Sequence, residues 1–97
     1  MKEKNTKIKN ELLLLPNVGP AVLGDLHRLG IYSVSDFKGE DPEDLYKKLE
    51  KITGRHVDRC MLYVLRSLVY MENTGERDSK NVAWWYFKDL KQVDRIR

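Results

Sequence analysis

The chain predicts an all-α fold, a compact bundle of about five helices in a single domain spanning residues 1–97. Three observations carry this. Apolar residues recur at helical spacing along most of the length, and almost no segment alternates apolar and polar residues as a half-buried strand does. Proline and glycine punctuate the apolar runs at the places where helices begin and end. At 97 residues there is enough chain for one modest core and no room for a separate catalytic domain.

The elements follow in order. Residues 1–6 are polar and expected to be flexible, after which Ile8, Leu12 and Leu15 form the apolar face of a first helix that stops at Pro16. A second helix starts at Pro20, buries Val22, Leu26 and Leu29, and ends at Gly30. "GIYSVSDF" reads as a turn anchored by Ile31 and Val34, leading into a short helix capped by Ser35 that carries Phe37 inward. Asp41-Pro42, a cap followed by a favoured first-turn residue, opens the next helix, with Leu45, Leu49 and Ile52 on its inner face. Thr53-Gly54 interrupts it. The longest helix is expected over about residues 55–71, where Val57, Cys60, Met61, Val64, Leu68 and Met71 make it the centre of the core. "NTGERDSKN" is a polar loop, and "VAWWYFKDLKQVDRIR" reads as a last helix.

Composition narrows the function classes. About two-fifths of the residues are apolar and one-third charged, so the chain is not disordered by composition, and no apolar run approaches the ~20 residues that a membrane span requires. "ELLLLP" is too short for a secretory signal, and the chain reads as cytoplasmic. The lone Cys60 forms no internal disulfide and excludes a cysteine-rich zinc framework. Net charge is +3, a weak sign by itself of a nucleic-acid partner, although its distribution is uneven. Residues 31–50 hold six acidic residues against three basic ones, and residues 51–70 hold four basic against one acidic, giving either one negative side or ordinary surface mixing.

"LLLLPNVGPAVLGDLHRLGI" resembles the helix-hairpin-helix motif, in which two helices flank a Pro-Gly-apolar-Gly turn. Asn17 stands where the motif has its first glycine, and asparagine is the next most tolerant residue of left-handed backbone. Gly19 is expected to need the absence of a side chain. A second, degenerate hairpin is expected around Gly54, since Val22 and Leu26 lie three and seven residues beyond Gly19, as Val57 and Met61 do beyond Gly54. The alternative is coincidence, since apolar residues at this spacing occur in every amphipathic helix. With "LGIYSVSDFKGEDPEDLYKKL", "GRHVDRCMLYVLRSLVY" and "WWYFKD", the chain looks like the small bacterial pathogenicity-locus family of helix-hairpin-helix proteins over residues 12–90. That resemblance implies an all-helical fold akin to the carboxy-terminal domain of competence-regulator proteins, and a link to DNA.

The chemistry expected of the first turn is anion binding. Backbone amides of Asn17, Val18, Gly19 and Ala21, with the positive end of the helix starting at Pro20, form a phosphate site needing no particular side chain. Such contacts read no sequence, so the expected partner is the DNA phosphate backbone, bound weakly and in a salt-dependent manner. Arg28, Gly54, Arg55 and Arg59 are the further candidates. A purely structural hairpin, or one that binds a protein partner, stays open, because no lysine or arginine lies between Gly19 and Leu26.

Two other constellations point elsewhere. Arg55, Arg59, Tyr63, Arg66 and Tyr70 share one face of the expected long helix, either along a phosphate backbone or beneath Trp84 and Trp85; the second reading is preferred for the last three. His56 and Cys60, four apart with Asp58 between them, suggest a metal or a nucleophile. Only His27 is left to complete a site, and Cys60 lies in the apolar stripe, so no catalytic residue, metal, cofactor or small-molecule substrate is expected. One indole of Trp84-Trp85 belongs in the core and the other is a candidate partner surface.

Overall fold

The computed structural model describes residues 12–88, and among them every regular element is helical. Three α-helices, α1 (Pro20–Arg28), α2 (Pro42–Thr53) and α3 (Arg59–Thr74), are joined by a 3₁₀ turn at Val34–Phe37 and followed by a second at Trp84–Lys88. The helix expected over 8–15 lies partly outside the described residues. Within them Leu12 and Leu13 are helical, and Leu12 and Leu15 are buried.

Local chemistry sets each boundary. Pro20 occupies the first turn of α1, where its missing N–H costs no hydrogen bond. The helix closes through Gly30 at φ +82°: its N–H donates to the His27 carbonyl at 3.0 Å and the Ile31 N–H to the Leu26 carbonyl at 2.8 Å. This paired arrangement satisfies the last carbonyls and turns Ile31 into the core. The 3₁₀ turn begins after Ser33, two residues before the expected cap Ser35, because the Asp36 carboxylate accepts the N–H groups of Tyr32 and Ser33 at 2.8 and 3.1 Å. Asp41 caps α2 as expected, accepting from the Glu43 N–H at 2.8 Å. Leu45 and Leu49 are buried, but Ile52 is half exposed and does not belong to the inner face.

The long helix begins four residues later than its apolar spacing suggests and ends three residues beyond. Gly54 is left-handed at φ +71°, and the chain then folds back on α2: the Tyr46 hydroxyl donates to the Val57 carbonyl, and the Glu50 carboxylate accepts the Val57 N–H at 3.0 Å. Val57 therefore packs against the core without being helical, and Asp58 supplies the α3 cap through the Cys60 N–H at 2.8 Å. Val64, Leu65, Leu68 and Met71 of α3 are buried, and so are its polar residues Arg66 and Ser67, so α3 is the centre of the core.

The last helix expected over 82–97 is, in the described part, a 3₁₀ turn; residues 89–97 lie outside it. Phe87 anchors this turn, tilted against Tyr70 at 5.5 Å between ring centroids, and Trp84 stacks on Tyr63 at 6.4 Å. Arg66 fastens it. Its guanidinium, on a side chain 3% exposed, donates to the Phe87 carbonyl at 2.7 Å and pairs with Glu43 of α2 at 2.5 Å. The stripe of Tyr63, Arg66 and Tyr70 thus lies beneath the tail as preferred from the sequence. Arg66 sits 5.6 Å from the Tyr63 ring centroid rather than over an indole.

Candidate nucleic-acid interface

The first turn is built around Asn17, which is left-handed at φ +71°. Its side chain also holds the turn in place: the carboxamide nitrogen donates to Ser67 Oγ of α3 at 3.0 Å and to the Val82 carbonyl at 2.6 Å. Ser67 in turn donates to the Val64 carbonyl at 2.6 Å, so the polar group buried in the core is satisfied. Val18 packs partly against the core, and its N–H, expected to be open to a phosphate, donates instead to the Leu15 carbonyl at 3.3 Å.

Gly19 does not have the conformation expected of it. It caps α1 in extended backbone at φ −108°, open to any residue, and a Cβ there meets nothing within 4 Å. What Gly19 leaves out is a capping side chain. Gly19 makes no side-chain cap, among the described residues no side chain accepts from the α1 N-terminus, and the first turn of α1 holds no acidic residue. Because the Leu23 N–H makes the first bond of the helical ladder, to the Gly19 carbonyl at 2.9 Å, the N–H groups of Ala21 and Val22 lie outside that ladder. Ala21 is exposed.

The other two α-helices begin differently. Asp41 and Asp58 cap α2 and α3 with carboxylates, which occupy amides and place negative charge where an anion would sit. At the second turn Glu50 takes the Val57 N–H and also pairs with His56 Nδ1 at 2.9 Å. The expected equivalence of Gly19 and Gly54 fails on backbone geometry: Gly54 matches Asn17, both at φ +71°, and four residues separate Gly54 from the helix that follows, whereas none separates Gly19 from α1. Gly54, Arg55 and Arg59 are all exposed, but Arg55 precedes α3 and does not share a helical face with Arg59. Arg59 is hydrogen-bonded to the Tyr63 side chain, which favours its charged form. Arg28 pairs with Asp25 at 2.9 Å, one turn back on α1, so its charge is partly neutralised.

Cys60 is exposed, not part of the apolar stripe, because the shifted start of α3 turns its first residues to solvent. Hydrogen bonding to Asp58 raises its thiol pKa above the ordinary value, burial and the Asp58 charge adding to the effect, which opposes thiolate formation. His56 and Cys60 have no third ligand: among the described residues no group of three or more His, Cys, Asp or Glu is placed to hold a metal ion. Nor is any helix of these residues long and apolar enough to cross a membrane.

Sequence reasoning missed an open groove of about 560 Å³ beside the first turn, lined by Asn17, Ser79, Lys80, Ala83, Trp85 and Tyr86. Its aromatic wall was visible in the "WWYF" run, but nothing local in the sequence brings residue 17 beside residues 79–86.

Comparison with known proteins gives two matches. A protein-family model described as Pathogenicity locus (Cdd1) matches residues 5–92. The mitomycin resistance protein McrB of Streptomyces lavendulae is 29% identical over 79 residues, covering 80% of this chain and 70% of that protein. No solved structure matches the chain.

Proposed function

The chain belongs to the Cdd1 pathogenicity-locus family, and on that premise we propose that it is a binding module that grips nucleic-acid backbone, without reading sequence, through the turn at Asn17–Val22. In this reading residues 12–28 form a helix-hairpin-helix, with Asn17 in the role of the first turn glycine, and the segment around Gly54 is a degenerate second hairpin. The observation that carries the reading is the contrast among helix starts. Of α1, α2 and α3, only α1 starts without a carboxylate cap. The Ala21 and Val22 amides outside its ladder, together with the helix dipole, suit a phosphate oxygen.

Arg55 and Arg59 serve as secondary phosphate contacts, weakened by Glu50 and Asp58 beside them. The protein works in this reading as a binder and not as an enzyme, in the cytoplasm, with no cofactor.

The test is a fluorescence anisotropy titration of DNA with the purified protein at low and at moderate salt. Affinity that falls steeply with salt supports backbone binding. No binding at low salt removes it and leaves the protein-interaction module, with a purely structural hairpin.

A further inference from the structure

Trp85 and Tyr86 leave 54% and 45% of their surfaces to solvent, on a turn that is otherwise tightly held. Trp84 lies parallel to Tyr63 at 6°, Phe87 is buried, and Arg66 holds the carbonyls of Phe87 and Lys88 at 2.7 and 3.3 Å. Trp84 and Tyr86 meet Trp85 at interplanar angles of 84° and 67°, so neither ring lies stacked on it. An exposed ring fixed by buried neighbours loses little conformational freedom when something binds to it.

The groove beside Trp85 is not simply apolar. Lys80 and Ser79 line it, Asn17 belongs to both the groove and the phosphate-binding turn, and no lining residue among the described ones is acidic. The Asp78 carboxylate nearby accepts the Lys80 backbone N–H at 3.0 Å, which fixes the loop that carries the lysine. A positive charge and an exposed aromatic surface therefore lie beside the first turn. That combination matches a strand whose bases are unpaired, and mismatches a duplex, whose bases are already stacked and enclosed.

We propose that this groove is a base-stacking subsite, so that the ligand of the Asn17–Val22 turn is single-stranded nucleic acid. A phosphate sits at the amides opening α1, an adjacent base stacks on Trp85 with Tyr86 beside it, and Lys80 neutralises the next phosphate. This rests on the backbone-binding reading above and adds the strand form to it.

The experiment compares a labelled oligothymidylate with a duplex of equal length, using wild type, Trp85→Ala, Trp85→Phe and Lys80→Gln, each confirmed as folded by circular dichroism. Wild type is expected to favour the single strand. Trp85→Ala loses roughly tenfold in single-strand affinity with little change for duplex, as expected for one stacked base, and Trp85→Phe, which keeps a ring, recovers most of the loss. Lys80→Gln lowers the salt slope by about one counterion. The oligothymidylate also quenches tryptophan emission in wild type far more than in Trp85→Phe, in which Trp84 remains. Equal, salt-dependent binding of both forms, unchanged in Trp85→Ala, overturns the subsite and leaves backbone binding standing. An equal loss for both forms in Trp85→Ala also overturns it. Absence of binding to either form removes the backbone reading and the subsite together, and assigns the aromatic surface to a protein partner.

Discussion

Asn17 donates a hydrogen bond to the Val82 carbonyl at 2.6 Å across a sequence separation of 65 residues, tying the first turn to the segment that carries the tryptophans. Glycine, the residue expected from sequence to be tolerated at position 17, keeps the left-handed backbone but loses that bond and the one to Ser67. Asn17→Gly is expected to cost about 1–2 kcal/mol through unsatisfied partners. Asn17→Ala is expected to cost about 1 kcal/mol more, for the strain of a Cβ in left-handed backbone. Thermal melts should rank wild type, glycine, alanine; a glycine variant as stable as wild type would show that the two bonds contribute nothing.

Gly19 separates folding from binding. Open space at its Cβ and a permitted φ mean that Gly19→Ala, and even Gly19→Val, should change stability by no more than about 0.5 kcal/mol. The expectation that the turn itself needs Gly19 without a side chain is replaced by loss of close approach alone. Both variants should melt like wild type and bind DNA more weakly, valine more so. Unchanged DNA affinity in Gly19→Val would place the phosphate elsewhere.

Charge at the second turn is tested by Arg55→Gln with Arg59→Gln. Both side chains are exposed, so the fold should be unaffected, and the slope of log affinity against log salt should fall by up to about two counterions. An unaltered slope removes both residues from the interface.

Arg66 is the clasp of the molecule. Arg66→Met strands the Phe87 and Lys88 carbonyls and Glu43, and is expected to lower stability by roughly 2–3 kcal/mol, the range for hydrogen bonds from a buried charged group. Arg66→Lys should recover little, since an ammonium cannot reproduce the fork. Glu43→Gln should be milder, because Glu43 is 41% exposed and water replaces part of the pair. Urea unfolding midpoints give the order.

Cys60 tests for hidden chemistry at the start of α3. Because the thiol is exposed, Cys60→Ala should leave stability within about 0.5 kcal/mol of wild type, less than a core position would lose. Its pKa lies above the ordinary thiol value, so little thiolate exists at neutral pH; labelling by a disulfide reagent should be slow there and rise with pH through and beyond the usual thiol range. Asp58→Asn keeps a good cap but removes the charge, so labelling at neutral pH should speed up. Fast labelling of the wild type at neutral pH would revive the nucleophile reading.

Much of the fold is legible where a residue acts on its immediate neighbours. Pro20 and the Asp41-Pro42 pair mark their helix starts, and Gly30 and Gly54 mark the ends, because caps and left-handed residues operate within a turn or two. The start of α3 differs from its apolar spacing because Val57 has the spacing of a helical residue yet is held by Tyr46 and Glu50, whose contacts compete with the helix and cannot be seen from periodicity. The left-handed turn at Asn17 was readable, and its partners, 50 and 65 residues away, were not. The same holds for the groove, which exists only after the tail has packed on α3.

The junction at Asn17 has a kinetic side. The contacts of α2 with the connection to α3 close short loops, seven and eleven residues apart in Val57–Glu50 and Val57–Tyr46, whereas the Asn17 carboxamide closes loops of 50 and 65 residues. Closing the longer loops costs more chain entropy, by roughly 1–2 kcal/mol on the logarithmic dependence. The α2–α3 pair should therefore assemble early, and residues 15–18 should dock together with residues 82–88 at the end. In reverse, fluctuations of the native protein should release both segments in one event, their backbone amides exchanging with solvent at a common rate while the α3 interior stays protected.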